Sequence, residues 1–73
     1  MKPYKDYNNN SNIEAYEYGD KWITVRFKDN SEYEYIGEGI SFYTLNQMKA
    51  LADAGDGLNA FINKNKPPYK SKR

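Results

Sequence analysis

Between residues 13 and 36 large apolar side chains return every second position, a period that a half-buried strand imposes and a helix does not. Ile13 to Tyr18 reads as a first strand, followed by Gly19-Asp20. Gly-X suits a two-residue hairpin turn, because glycine supplies the positive φ needed at the first position. A second strand runs from Lys21 or Trp22 to Phe27, with Ile23, Val25 and Phe27 alternating against Trp22, Thr24 and Arg26. That turn pairs Tyr18 with Lys21 and Tyr16 with Ile23, and places both tyrosines on the face of Ile23, Val25 and Phe27.

The second hairpin is fixed by parity. A two-residue loop at Asp29-Asn30 would pair Tyr33 with Arg26 and split the apolar residues between faces. A three-residue loop, Lys28-Asp29-Asn30, pairs Phe27 with Ser31, Val25 with Tyr33 and Ile23 with Tyr35. Asn30 then takes the left-handed position of a bulge, which asparagine tolerates better than most residues. Only this register gathers the large apolar side chains on one face and leaves Thr24, Arg26, Glu32 and Glu34 on a tolerant open one. A one-residue slip would reverse every side chain.

Gly37-Glu38-Gly39 ends the alternation. From Ser41, the residues Phe42, Leu45, Met48, Leu51 and Ala52 fall at helical spacing, with Thr44 and Gln47 as a possible capping box and Gly55 as terminator. A second helix is expected from Gly57 to about Asn65, capped by Asp56, with Leu58, Phe61 and Ile62 as its apolar stripe. Pro67 and Pro68 stop it. The expected architecture is α+β: a three-stranded antiparallel meander with two C-terminal helices on one face, in the order β-β-β-α-α. Residues 1–10 are polar and end in three asparagines, so they are expected to form a flexible lead-in to a single domain at 11–66, with a basic tail at 67–73.

Composition narrows the chemistry. With 73 residues the chain has room for one small core. It contains no cysteine and no histidine, which excludes disulfides and histidine-dependent triads, and a zinc or iron site would need carboxylates alone. Gly37, Gly39, Gly55 and Gly57 match neither a P-loop nor a dinucleotide fingerprint, so no cofactor is implied. No apolar run approaches the ~18 residues of a membrane span, and the N-terminus lacks the apolar stretch of a signal peptide. A cytoplasmic protein is expected. Net charge is +1, but residues 1–57 carry six Lys/Arg against ten Asp/Glu, whereas 58–73 carry five Lys/Arg and no acid. An acidic body with a basic tail differs from a uniformly basic nucleic-acid binder.

Several residues, taken in order, resemble the KTSC domain, a short module found at the C-terminus of some lysyl-tRNA synthetases. They are Ser11-Asn12-Ile13, Tyr18, the strand Ile23-Thr24-Val25-Arg26-Phe27, the Tyr33-Glu34-Tyr35 pair followed by Gly37, and Gly55 with Asn59-Ala60-Phe61-Ile62. The resemblance covers about residues 11–66. It departs where the family has Gly-Val-Pro and this chain has Gly37-Glu38-Gly39, and where Leu58 replaces an aromatic. It implies a small domain without established activity, with RNA binding proposed from the association with the synthetase.

Eight tyrosines invite comparison with base-stacking platforms. The register instead places Tyr16, Tyr18, Tyr33 and Tyr35 beneath the helices, with rings in the core and hydroxyls at its rim. Trp22 alternates out of phase with that set and belongs on the open face beside Arg26. The lead expectation is a non-enzymatic module binding RNA or another nucleic acid. Trp22, Arg26 and Lys28 would contact it from the sheet, and Lys64, Lys66, Lys70, Lys72 and Arg73 would meet phosphates. The alternative is a protein-interaction module, of the kind expected of a bacterial or phage accessory protein, using Trp22 and the two sheet edges.

Overall fold

A computed structural model describes all residues, 1–73. The central meander consists of β2 (Ile13–Gly19), β3 (Trp22–Phe27) and β4 (Glu32–Ile36), and it is preceded by a two-residue strand β1 (Lys2–Pro3). Then come α1 (Phe42–Ala54), α2 (Leu58–Asn65) and a second two-residue strand, β5 (Ser71–Lys72). The sheet is antiparallel throughout, in the order β1-β2-β3-β4-β5. The α+β class is as expected, but the sheet has five strands instead of three. The extra two come from the terminal segments, one at each edge.

The second hairpin has the register that parity selected. Ile23 pairs with Tyr35 and Val25 with Tyr33, the Phe27 N–H donates to the Ser31 carbonyl at 2.9 Å, and Asn30 is left-handed at φ 72°. The first hairpin is displaced. Its loop is Asp20-Lys21, with Gly19 paired to Trp22, Tyr18 to Ile23 and Tyr16 to Val25. Gly19 does not take a positive φ. It is glycine because a Cβ there would lie 2.3 Å from the Trp22 indole nitrogen, which packs over it. The displacement is two positions in register, an even number, so Tyr16 and Tyr18 keep the predicted face. An irregularity between Ile13 and Ala15 shifts parity by one and lets Ile13 enter the same core as Tyr16.

The helices cover that face. Ser41 caps α1 by accepting from the Thr44 N–H at 3.1 Å, and left-handed Gly55 ends the helix. Leu45, Met48 and Leu58 are fully buried against Ile23, Val25 and Tyr35. Each such side chain contributes roughly 1.5–3 kcal/mol on leaving water. Asp56 does not cap α2. Its carboxylate accepts from the Asn8 amide at 2.6 Å, and Gly57 occupies the cap position without a side chain to offer.

The missing cap comes from the segment expected to be a flexible lead-in. Tyr4 is only 6% exposed, and its hydroxyl accepts the Leu58 N–H at 3.2 Å. The Tyr7 N–H donates to the Gly55 carbonyl at 2.9 Å, and Asp6 accepts from the Ser11 N–H. The tail is likewise anchored. Pro67 is buried. Lys70 N–H donates to the Glu34 carbonyl at 2.7 Å, and Glu32 and Arg73 exchange backbone bonds at 2.9 and 2.7 Å. On the opposite, helix-free face Thr24 is 4% exposed, in the central strand between Glu17 and Glu34 in cross-strand register. That position is therefore not the tolerant one that alternation alone suggests.

Candidate nucleic-acid interface

The anchored tail creates a concavity beside the sheet. Beyond α2, left-handed Lys66 and the Pro67-Pro68 pair turn the chain back toward the sheet, and Tyr69 lands beside Tyr33. A groove of about 820 Å³ opens between this segment and the β3–β4 hairpin. Phe27, Tyr33, Tyr35 and Tyr69 supply its aromatic wall, and Asn12, Ser31 and Asn63 its neutral polar groups. Tyr33 and Tyr69 meet edge to face, with centroids 4.8 Å apart and planes at 88°. Tyr35 is buried, whereas Tyr69 is 50% exposed. Burial pushes the Tyr35 phenol up to about 12, with Tyr33 and Tyr69 adding to the shift, so it is neutral at physiological pH.

Cations collect at this end. Lys28 and Lys66 line the groove, opposed by Asp29. Lys72 lies with its Nζ 5.3 Å from the Tyr33 ring centroid, and the Tyr33 phenol beside it raises its pKa from the ordinary lysine value. Lys28 is shared with Asp6 at 3.6 Å. Lys70 flanks Tyr69 on its other side, in a shallow depression with Pro68 and Ile36. Lys64 is exposed on α2.

The remaining sequence-derived candidates sit on the opposite face. Arg26 is engaged by Glu32, with Nε and Nη2 at 2.9 and 2.8 Å from the same carboxylate oxygen, and it lies 3.9 Å from Glu14. Arg73 takes the other oxygen of Glu32 at 3.3 Å. The Arg26 bond foremost holds Glu32 below the usual carboxylate range. Trp22 is half-buried over Gly19, in a depression that also includes Ile36, Phe42, Glu17, Glu34 and Glu38. The structure thus brings Lys28, Lys66 and Lys72 to the groove, leaves Lys70 in the adjoining depression, and separates all four from Trp22, Arg26 and Arg73. Sequence reasoning missed Tyr69, Asn12 and Asn63 as lining residues. The available signal was an aromatic set among the lysines of a segment read only for its charge.

A separate constellation of ionisable groups lies between β2 and α1. The Tyr16 and Tyr18 hydroxyls donate to the two oxygens of Asp53 at 2.7 and 2.6 Å, with Lys2 at 3.7 Å. The bond from Tyr18, then that from Tyr16, holds Asp53 below its ordinary range, while burial and Asp53 push Tyr16 up to about 12. Both shifts move away from neutrality, the reverse of what a general acid or base needs. The cluster ties α1 to β2. No three Asp or Glu side chains cluster in a way that could hold a metal ion, and no helix is long and apolar enough to cross a membrane.

No protein-family model, curated protein or solved structure matches this chain.

Proposed function

We propose that the chain is a non-enzymatic, KTSC-like module that binds single-stranded nucleic acid, RNA foremost, through the groove at its tail. The observation that carries this reading is the half-exposed Tyr69 ring set in a concavity with Lys28 and Lys66 on its lining and Lys70 and Lys72 beside it. An aromatic face for a base and ammonium groups for the backbone are the two parts that single-strand binding requires. The helix-free face offers less. Its arginines are already bound to Glu32, and a phosphate there would have to displace a carboxylate.

Amide NMR with a mixed single-stranded RNA pool tests the assignment. Shifts are expected at Ser31, Asn63, Lys66 and Tyr69, and they should persist at physiological salt. If three lysines meet phosphates, affinity should fall about 20-fold between roughly 50 and 200 mM salt, from a slope near −0.7 per phosphate. Shifts centred on Trp22 and Arg26, or none at physiological salt, would refute the groove.

A protein partner is the second reading, favoured by the Trp22–Ile36–Phe42 depression, where Phe42 is well exposed. The sheet edges favour it less than expected, since both are closed by short strands that carry Pro3 and lysines. Loss of a captured partner on Trp22→Ala, with the fold intact, would support it. A strictly monomeric protein with no partner recovered would count against it.

A further inference from the structure

We infer that the groove is a site for one unstacked nucleotide: a single base held in the corner between Tyr69 and the β3–β4 hairpin, with its phosphate on Lys66 and Lys72. This inference rests on the nucleic-acid reading above and specifies the ligand unit it takes. Several observations point to one base and not a strand-long platform. Of the rings that line the groove, Tyr69 alone is exposed, at 50%, while Tyr35 is buried and Phe27 and Tyr33 are more covered than Tyr69. The accessible aromatic surface therefore suits one base.

The rings also form a corner. Tyr33 and Tyr69 stand at 88° with centroids 4.8 Å apart, so a planar heterocycle lying along one ring meets the edge of the other. The volume, about 820 Å³, falls within the range of small-ligand sites. The amides of Asn12 and Asn63, both on exposed residues, each present a donor and an acceptor, the complement of a base edge. Lys28 is shared with Asp6 at 3.6 Å and faces Asp29, whereas Lys66 has no ion pair and Lys72 lies over Tyr33, so these last two supply the surplus charge that a phosphate requires. A base still paired and stacked in a duplex cannot enter a corner walled on two sides, so the ligand is either a free nucleotide or an unpaired residue of an RNA chain.

The experiment is an amide NMR titration of the full chain with AMP, UMP, inorganic phosphate, a single-stranded RNA octamer and the matching duplex. The mononucleotides and the octamer are expected to shift the same amides at Ser31, Asn63 and Tyr69. Phosphate alone and the duplex should leave Tyr69 unmoved. Tyr69→Ala should weaken the nucleotide and the octamer alike, by about 10-fold or more. Because Tyr69 also packs on Tyr33, Asn63→Ala on the exposed side of α2 serves as a second variant and should change the AMP-to-UMP affinity ratio. Octamer binding at the groove with no response to either mononucleotide would overturn the one-nucleotide site and leave the RNA reading standing. No response to any nucleotide or RNA would overturn both. Phosphate reproducing the nucleotide shifts would show an anion site without a base contact, and duplex binding as tight as single strand would exclude an unpaired base; either result overturns the inference.

Discussion

Removing one oxygen from Tyr4 tests whether the first ten residues belong to the fold. The α2 helix begins at Leu58 with no side-chain cap, because Gly57 has none to offer and Asp56 is turned toward Asn8. The buried Leu58 N–H depends on the Tyr4 hydroxyl. Tyr4→Phe keeps the ring and leaves that N–H without its acceptor, which costs about 1–3 kcal/mol. For a chain of this length total stability is roughly 4–11 kcal/mol, so the loss is a large fraction of it. It corresponds to a fall in Tm of about 5–20 °C, at about 4–8 °C per kcal/mol. Tyr4→Ala adds a cavity and about 3–5 kcal/mol in all, enough to bring a marginal domain close to unfolding. Urea denaturation followed by circular dichroism measures both, with Tyr7→Phe, on a well-exposed ring, as a control within about 0.5 kcal/mol of the parent. If Tyr4→Phe proved as stable as the parent, with the same denaturant slope, the hydroxyl would not be the cap and the lead-in would be dispensable.

Three further outcomes follow from the burial pattern. Tyr16 and Tyr35 should ionise near pH 12, as a late step in a phenolate absorbance titration of the folded protein. Their folded pKa values are raised, so the native state holds protons that the unfolded chain releases, and stability should fall between about pH 10 and 12, on the order of 2 kcal/mol for each; a single transition for all eight would contradict the burial. Thr24→Asp should cost about 2 kcal/mol or more in urea melts, because it sets a third carboxylate between Glu17 and Glu34 at a covered position, while Thr24→Val should be near neutral. Val25→Asp should unfold the domain outright, and a stable Thr24→Asp variant would show that the open face is not covered as described.

What could be read from the chain, and what could not, divides by the range of the interaction. The β3–β4 register was accessible because a period of two leaves one choice of parity that buries Val25, Tyr33 and Tyr35 together. The faces of Tyr16 and Tyr18 survived an error in the turn because that error was even. Gly19 misled because glycine has two uses, positive φ and close approach, and only the position of the Trp22 indole tells them apart. The two edge strands left no trace. Each is two residues long, too short for a period, and each pairs through backbone groups that any sequence provides.

The candidate site inherits that limit. One wall, the β3–β4 hairpin, follows from alternation, and the opposite wall follows from where the chain travels after α2. That path depends on a left-handed Lys66, two prolines and backbone bonds to Glu32 and Glu34, none of which marks Tyr69 as the partner of Tyr33. Read by charge, residues 64–73 are a solvated arm that could meet phosphates from any direction. Once the arm is fixed to an edge, the same lysines acquire a direction and an aromatic neighbour, and a salt-dependent attraction becomes a concavity with a shape. The distinction is measurable: an untethered arm loses RNA affinity in proportion to the lysines removed, whereas an anchored one loses most of it with the Tyr69 ring while all its charges remain.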